Sequence, residues 1–163
     1  MKSLSLSLKD LYPLIRQTLE NGQEVYITIR GNSMSPFLFD GRDQAIFAPL
    51  PARPIRKGDI IFYQRKNGQF VMHRVYKVEK NGQMTLLGDA QWTLEKGIEP
   101  HQLRAFVPRV IRKGKEISCE KGFYHRLMTL WQFRIRFPRI AKLCLKCLHL
   151  AGKIRRLIAG KTA

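Results

Sequence analysis

The spacing of apolar positions changes twice along the chain. Leu8, Leu11, Leu14, Ile15, Thr18 and Leu19 recur in steps that keep them on one face of a helix, with Ser7 placed to cap its start and Asn21-Gly22 to stop it. A short amphipathic helix is therefore expected over residues 8–20. From Glu24 the pattern becomes short runs rich in β-branched and aromatic residues, at 25–29, 45–47, 59–63, 69–78, 84–87 and 105–110. Asp40-Gly41, Lys57-Gly58, Asn67-Gly68 and Asn81-Gly82 stand between these runs. Asn-Gly between two strand-like runs signals a hairpin whose two central residues both take positive φ. The middle of the chain therefore reads as mostly antiparallel β.

After Gly122 the helical spacing returns, and Pro138 divides the tail because proline fits a first helical turn but breaks an interior one. Two basic helices are expected. In the second, Ile140, Cys144, Cys147, Ala151 and Ile154 form one stripe, and Lys142, Lys146, His149, Lys153 and Arg156 form the stripe opposite. The expected organisation is a small, curled β domain over residues 1–118, including the N-terminal helix, followed by a basic amphipathic helical tail over 119–163.

Composition narrows the class. With 163 residues, 44% apolar and 26% charged, the chain is long enough for one buried core and is unlike disordered, collagen-like or disulfide-dense sequences. Its charge is unusual: the formal net value is +18, and beyond Pro108 there are 15 basic residues against 2 acidic. Such a field attracts nucleic acid or an anionic membrane surface. No zinc-finger, RNA-recognition or helix-turn-helix pattern accompanies it, so nucleic acid is not the expected partner. The tail stripe suits an interfacial helix, and it equally suits packing against the β domain. No signal peptide and no spanning apolar run is expected, which points to a cytoplasmic protein, peripheral on the cytoplasmic face of the membrane where the tail engages lipid. Cys119, Cys144 and Cys147 make an odd count without a disulfide framework. Cys144 and Cys147, with His149, read as helix packing, so neither a metal nor a cofactor is expected.

Three residues invite chemistry. Ser33 lies in Gly31-Asn32-Ser33-Met34-Ser35-Pro36, directly after a strand-like run. A serine so placed can expose its hydroxyl beside backbone N–H groups, as a nucleophile with an oxyanion hole requires. His73 stands in an apolar run where alternation puts Val71, His73 and Val75 on one face. Asp89 follows Gly88 at the end of another run and could orient an imidazole through its second nitrogen.

Taken in order, Ser33-Met34-Ser35-Pro36, Gly41-Arg42-Asp43, Gly58-Asp59-Ile60-Ile61-Phe62, His73-Arg74-Val75, Gly88-Asp89 and Ala105-Phe106-Val107-Pro108 resemble the boxes of the type I signal peptidases and the related SOS-repressor autopeptidases. Histidine before Arg-Val resembles the archaeal and endoplasmic-reticulum branch. The resemblance implies a small β catalytic domain and a serine endopeptidase without metal or cofactor, cleaving an extended peptide or precursor after a small residue. Ser33 would be the nucleophile, His73 the general base and Asp89 the acid that holds the imidazole, with Glu95 as the other acid for that place. Asn32, Met34 and Pro36 would frame the oxyanion and the substrate. The alternative is a noncatalytic protein on the same scaffold that binds a peptide or a membrane surface. A repressor-like autopeptidase is a third reading, disfavoured by histidine in place of lysine and by the absence of an evident internal cleavage segment.

Overall fold

Helix α1 spans Leu8–Glu20, as its apolar spacing requires, and buries Ile15 and Leu19. It closes with the Gly22 amide donating to the Leu19 carbonyl, and Gly22 takes the left-handed φ of 74° that ends many helices. Tyr12 packs its ring on Phe70, with centroids 4.6 Å apart, which fixes the helix against the sheet. The computed structural model describes residues 8–141 and Leu143.

Eight antiparallel strands follow: β1 (Val25–Thr28), β2 (Gln44–Ala48), β3 (Ile60–Gln64), β4 (Phe70–Val78), β5 (Met84–Leu87), β6 (Glu95–Ile98), β7 (Leu103–Arg112) and β8 (Lys115–Ser118). Their order in the sheet is β1-β2-β7-β3-β4-β5-β6, with β8 also paired to β7. β7 is shared. Its first residues pair with β3, and its later ones pair with β2 and β8. Register shifts interrupt the β2–β7, β3–β7, β4–β5 and β5–β6 ladders, and such irregularities bend and twist strands. The sheet is accordingly a mainly β domain of the expected class.

Each face of the sheet carries a buried apolar cluster. Ile60, Phe62, Phe70 and Met72 face one cluster with Met34, Leu38, Ala45, Phe47 and α1, and Ile61, Tyr63, Val71 and Val75 face another with Leu86, Ile98 and Phe106. The alternation read for β4 therefore holds, and it places His73 and Arg74 on opposite faces.

Two local expectations are corrected. In the Asn67-Gly68 and Asn81-Gly82 turns only the glycines have positive φ, 83° in each. Asn67 and Asn81 instead use their side-chain oxygens to accept from the Gln69 and Gln83 amides, so these are longer loops with a left-handed glycine, not tight two-residue turns. Strands β6 and β8 fall on segments where no strand was expected, because Glu-Lys-Gly-Ile and Lys-Glu-Ile-Ser contain one apolar residue each.

The chain divides into two compact units, Met1–Thr129 and Leu130–Ala163. The first holds the sheet, α1 and most of α2 (Gly122–Trp131). Of the second, the described part contains a 3-10 turn over Gln132–Ile135, and the Ala141 amide donating to the Phe137 carbonyl shows helical winding just after Pro138. The Cys144, Cys147, Ala151 and Ile154 stripe and its basic counterpart lie outside the described residues. Among the described residues no helix is long and apolar enough to cross a membrane.

Candidate active site

The Ser33 loop leaves β1 through Gly31, whose φ of 83° turns the chain away from the strand and whose amide donates to Asp40 Oδ1. Residues 34–38 then wind tightly, with the Leu38 amide donating to the Met34 carbonyl, and the Ser35–Pro36 peptide is cis. Ser33 itself is half-buried. Its carbonyl accepts from the Ala90 amide at 2.8 Å, and a Cβ on Gly88 would lie only 2.7 Å from the same oxygen. Gly88 follows Leu87, which pairs with Arg74 on β4. The Ser33 backbone thus passes over the end of β5 beside the His73–Arg74 segment, and the absence of a side chain at residue 88 permits that approach.

His73 is buried, with 1% of its surface exposed. Its Nδ1 lies 3.1 Å from Tyr63 Oη, and that phenol donates to Glu95 Oε2 at 2.7 Å. The direct separation from His73 Nδ1 to Glu95 Oε2 is 3.7 Å, too long for a hydrogen bond. Glu95 is held at both oxygens by Arg65, at 2.8 and 2.6 Å. Among the described residues His73 Nε2 is buried without a hydrogen-bond partner, so no bond joins it to the Ser33 hydroxyl. Ser33 and His73 are therefore brought to one end of the sheet and are not bonded to each other.

Electrostatics follow from burial. Desolvation lowers the His73 imidazole to about 4, against the upward pull of Glu95. Burial acts to raise Glu95, but hydrogen bonds from Arg65 and Tyr63 outweigh it and hold the carboxyl below its usual range. The Tyr63 phenol is raised well above its ordinary value by burial and by Glu95, so it remains protonated.

Asp89 occupies a different place from the one expected. Its oxygens accept from Arg74 Nε and Nη2 at 3.0 and 2.8 Å, and Arg74 Nη1 donates to the Gly58 carbonyl. Arg74 is 0% exposed and Asp89 1%. Since Arg74 points to the face opposite His73, Asp89 is committed to a buried ion pair, and Tyr63 with Glu95 meets the imidazole instead. The other two Gly-Asp boxes behave alike: Asp43 is paired by Arg42 and Asp59 by Arg53, with both carboxylates buried.

Of the residues expected to frame the substrate, Asn32 is exposed and its carbonyl accepts from the Ser35 amide. Pro36 is half-buried, with its carbonyl 3.5 Å from Arg112 Nη2. Met34 is 2% exposed and packs in the α1-side cluster, so its side chain is core and not substrate surface. Sequence reasoning missed Tyr63 and Arg65. Alternation carries the signal for Tyr63: it lies two residues from Ile61, the register partner of His73, and so shares the His73 face.

No curated protein and no solved structure gives a significant match to the chain. A family profile does match, over residues 3–92, which is more than half of the chain and includes the Ser33 loop, His73 and Asp89 but stops short of Glu95. By that match the chain belongs to the Peptidase S24-like family.

Proposed function

We propose that the protein is a serine endopeptidase of the histidine type, with Ser33 as nucleophile and His73 as general base. The observation that supports this reading most is the state of His73. Its imidazole is buried and oriented through Nδ1, while Nε2 has no hydrogen-bond partner among the described residues, at the end of the sheet over which Ser33 passes. In acylation Ser33 Oγ attacks the peptide carbonyl carbon as its proton moves to Nε2. The imidazolium then gives that proton to the departing amine, and water releases the acyl group by the same exchange. The Ser33 amide and the Asn32 side chain are the nearest candidates to receive the oxyanion. The substrate is an extended peptide or precursor. β1 leads into the Ser33 loop and among the described residues pairs on one side only, with β2, which leaves an edge for a strand-like ligand.

A serine-directed fluorophosphonate and a mixed peptide library test the proposal together. Ser33→Ala and His73→Ala should each abolish labelling and cleavage, and the double variant should be little worse because the two groups act as a unit. Folded wild-type protein that neither labels nor cleaves would leave the noncatalytic, peptide-binding reading.

The described end of the chain favours a membrane-surface setting for this activity. Phe123 (80%), Leu130 (67%) and Leu143 (62%) are exposed in the strongly basic region, a combination suited to anionic lipid.

A further inference from the structure

The bonds around His73 leave one consistent placement of protons. Tyr63 has a single hydroxyl proton, and the Glu95 carboxylate at 2.7 Å has none of its own, so the phenol must donate to Glu95. The phenol oxygen can then only accept from His73, which places the ring proton on Nδ1. Nε2 consequently carries the lone pair. The opposite tautomer would make Tyr63 donate to Nδ1 and would leave two bare oxygens facing each other at 2.7 Å. Arg65 locks the outer end by gripping both Glu95 oxygens, beside a cleft of about 560 Å³ lined in part by Lys66, Lys96 and Gln102. Tyr63 is 0% exposed, so its hydroxyl is shielded from bulk solvent.

We propose that Tyr63 is a positioning residue which, held by Glu95 and Arg65, fixes His73 in the Nδ1–H tautomer and so keeps the Nε2 lone pair available for the Ser33 proton. The inference rests on reading His73 as the general base. It replaces the expected Asp89 contact with a carboxylate acting through a phenol. It also gives Glu95 a role that geometry alone would deny it, since its own oxygen does not reach the ring.

Long-range nitrogen–proton NMR of histidine-labelled protein reads the tautomer directly, and a His73→Gln spectrum identifies the signal. Wild type should show His73 protonated at Nδ1 and bare at Nε2. Glu95→Ala removes the phenol's acceptor, so Tyr63 should turn its proton to Nδ1 and force the proton onto Nε2. Tyr63→Phe should release the ring to the Nε2–H form or a mixture. In both variants kcat should fall by about 10²-fold with KM changed less than about threefold, the size expected when a general base is disabled. Should Tyr63→Phe unfold, Glu95→Ala decides, because Glu95 stands partly in solvent. Wild type protonated at Nε2, or Glu95→Ala with an unchanged tautomer or unchanged kcat, overturns the proposal. So does a folded Asp89→Asn variant that switches the tautomer when Glu95→Ala does not. An enzyme without turnover overturns the peptidase reading instead, and the NMR signal still reports on the tautomer.

Discussion

His73 illustrates how one residue's surroundings set both its chemistry and its contribution to stability. Burial brings its pKa from 6.5 to about 4, with Glu95 opposing the change. The native imidazole is therefore neutral and able to accept a proton through the neutral range. The acid limb of kcat/KM should lie well below pH 6.5, at about 4, where an exposed histidine would already have lost activity. The sign for stability is the same. The folded state disfavours the proton, so the contribution is complete above pH 6.5 and is lost as pH falls toward 4, on the order of 3 kcal/mol in total. Urea unfolding at pH 7 and pH 4.5, compared with His73→Gln, checks this; equal losses in both proteins would refute it. Arg74 and Asp89 pose the opposite case, an ion pair with both charges buried. Removing one partner strands the other, so Asp89→Ala should cost about 3–5 kcal/mol, while Arg74→Met with Asp89→Leu should recover much of that loss. A double-mutant cycle by denaturant unfolding measures the difference. Near-wild-type stability of Asp89→Ala would show that the pair is not a structural clamp.

At the scale of elements, the site depends on a loop crossing a strand end. The Ser33 carbonyl occupies the space where a Gly88 side chain would project, and the Ala90 amide holds that carbonyl in place. Gly88→Ala forces backbone against a methyl group, and neither side can yield as a flexible side chain could. The expected outcome is a loss of about 1–3 kcal/mol, as for overpacking, together with a displaced Ser33 loop and fluorophosphonate labelling slowed by an order of magnitude or more. Labelling at the wild-type rate would show that the loop is not positioned by this contact. Gly58 is a second close approach: a Cβ there would meet Thr129 Oγ1 at 2.6 Å and His125 Cε1 at 2.8 Å, so α2 sits directly against the turn before β3.

At the scale of the whole molecule, charge and exposed apolar surface occur in the same stretch. The chain carries +18, concentrated after Pro108, and α2 exposes Phe123, Leu127 and Leu130 at helical spacing. Binding to anionic vesicles should be measurable at low salt, with each basic residue near the surface contributing about 1 kcal/mol, and should weaken as salt screens the charges. Phe123→Ser with Leu127→Ser should reduce vesicle sedimentation without altering circular dichroism. Intact protein that ignores anionic vesicles at low salt would sink the membrane-surface proposal.

Much of the architecture depends on short-range pattern, and was legible for that reason. Helix α1 spans 8–20 as expected because its apolar steps and its Asn-Gly stop act within a few residues of one another. The alternation of β4, which separates His73 from Arg74, is likewise local. Strands β6 and β8 were not legible, since Glu95–Ile98 and Lys115–Ser118 become strands by pairing with β5 and β7 and not through their own composition. The site divides the same way. Sequence order could name Ser33, His73 and the two acids, but only the curl of β3 to β6 decides that Glu95 faces the imidazole through Tyr63. The acid nearer to His73 in the chain, Asp89, turns to the other face and neutralises Arg74. Side-chain direction alternates along every strand, so which carboxylate meets which cation depends on register and twist across several strands, and the tertiary structure alone sets those.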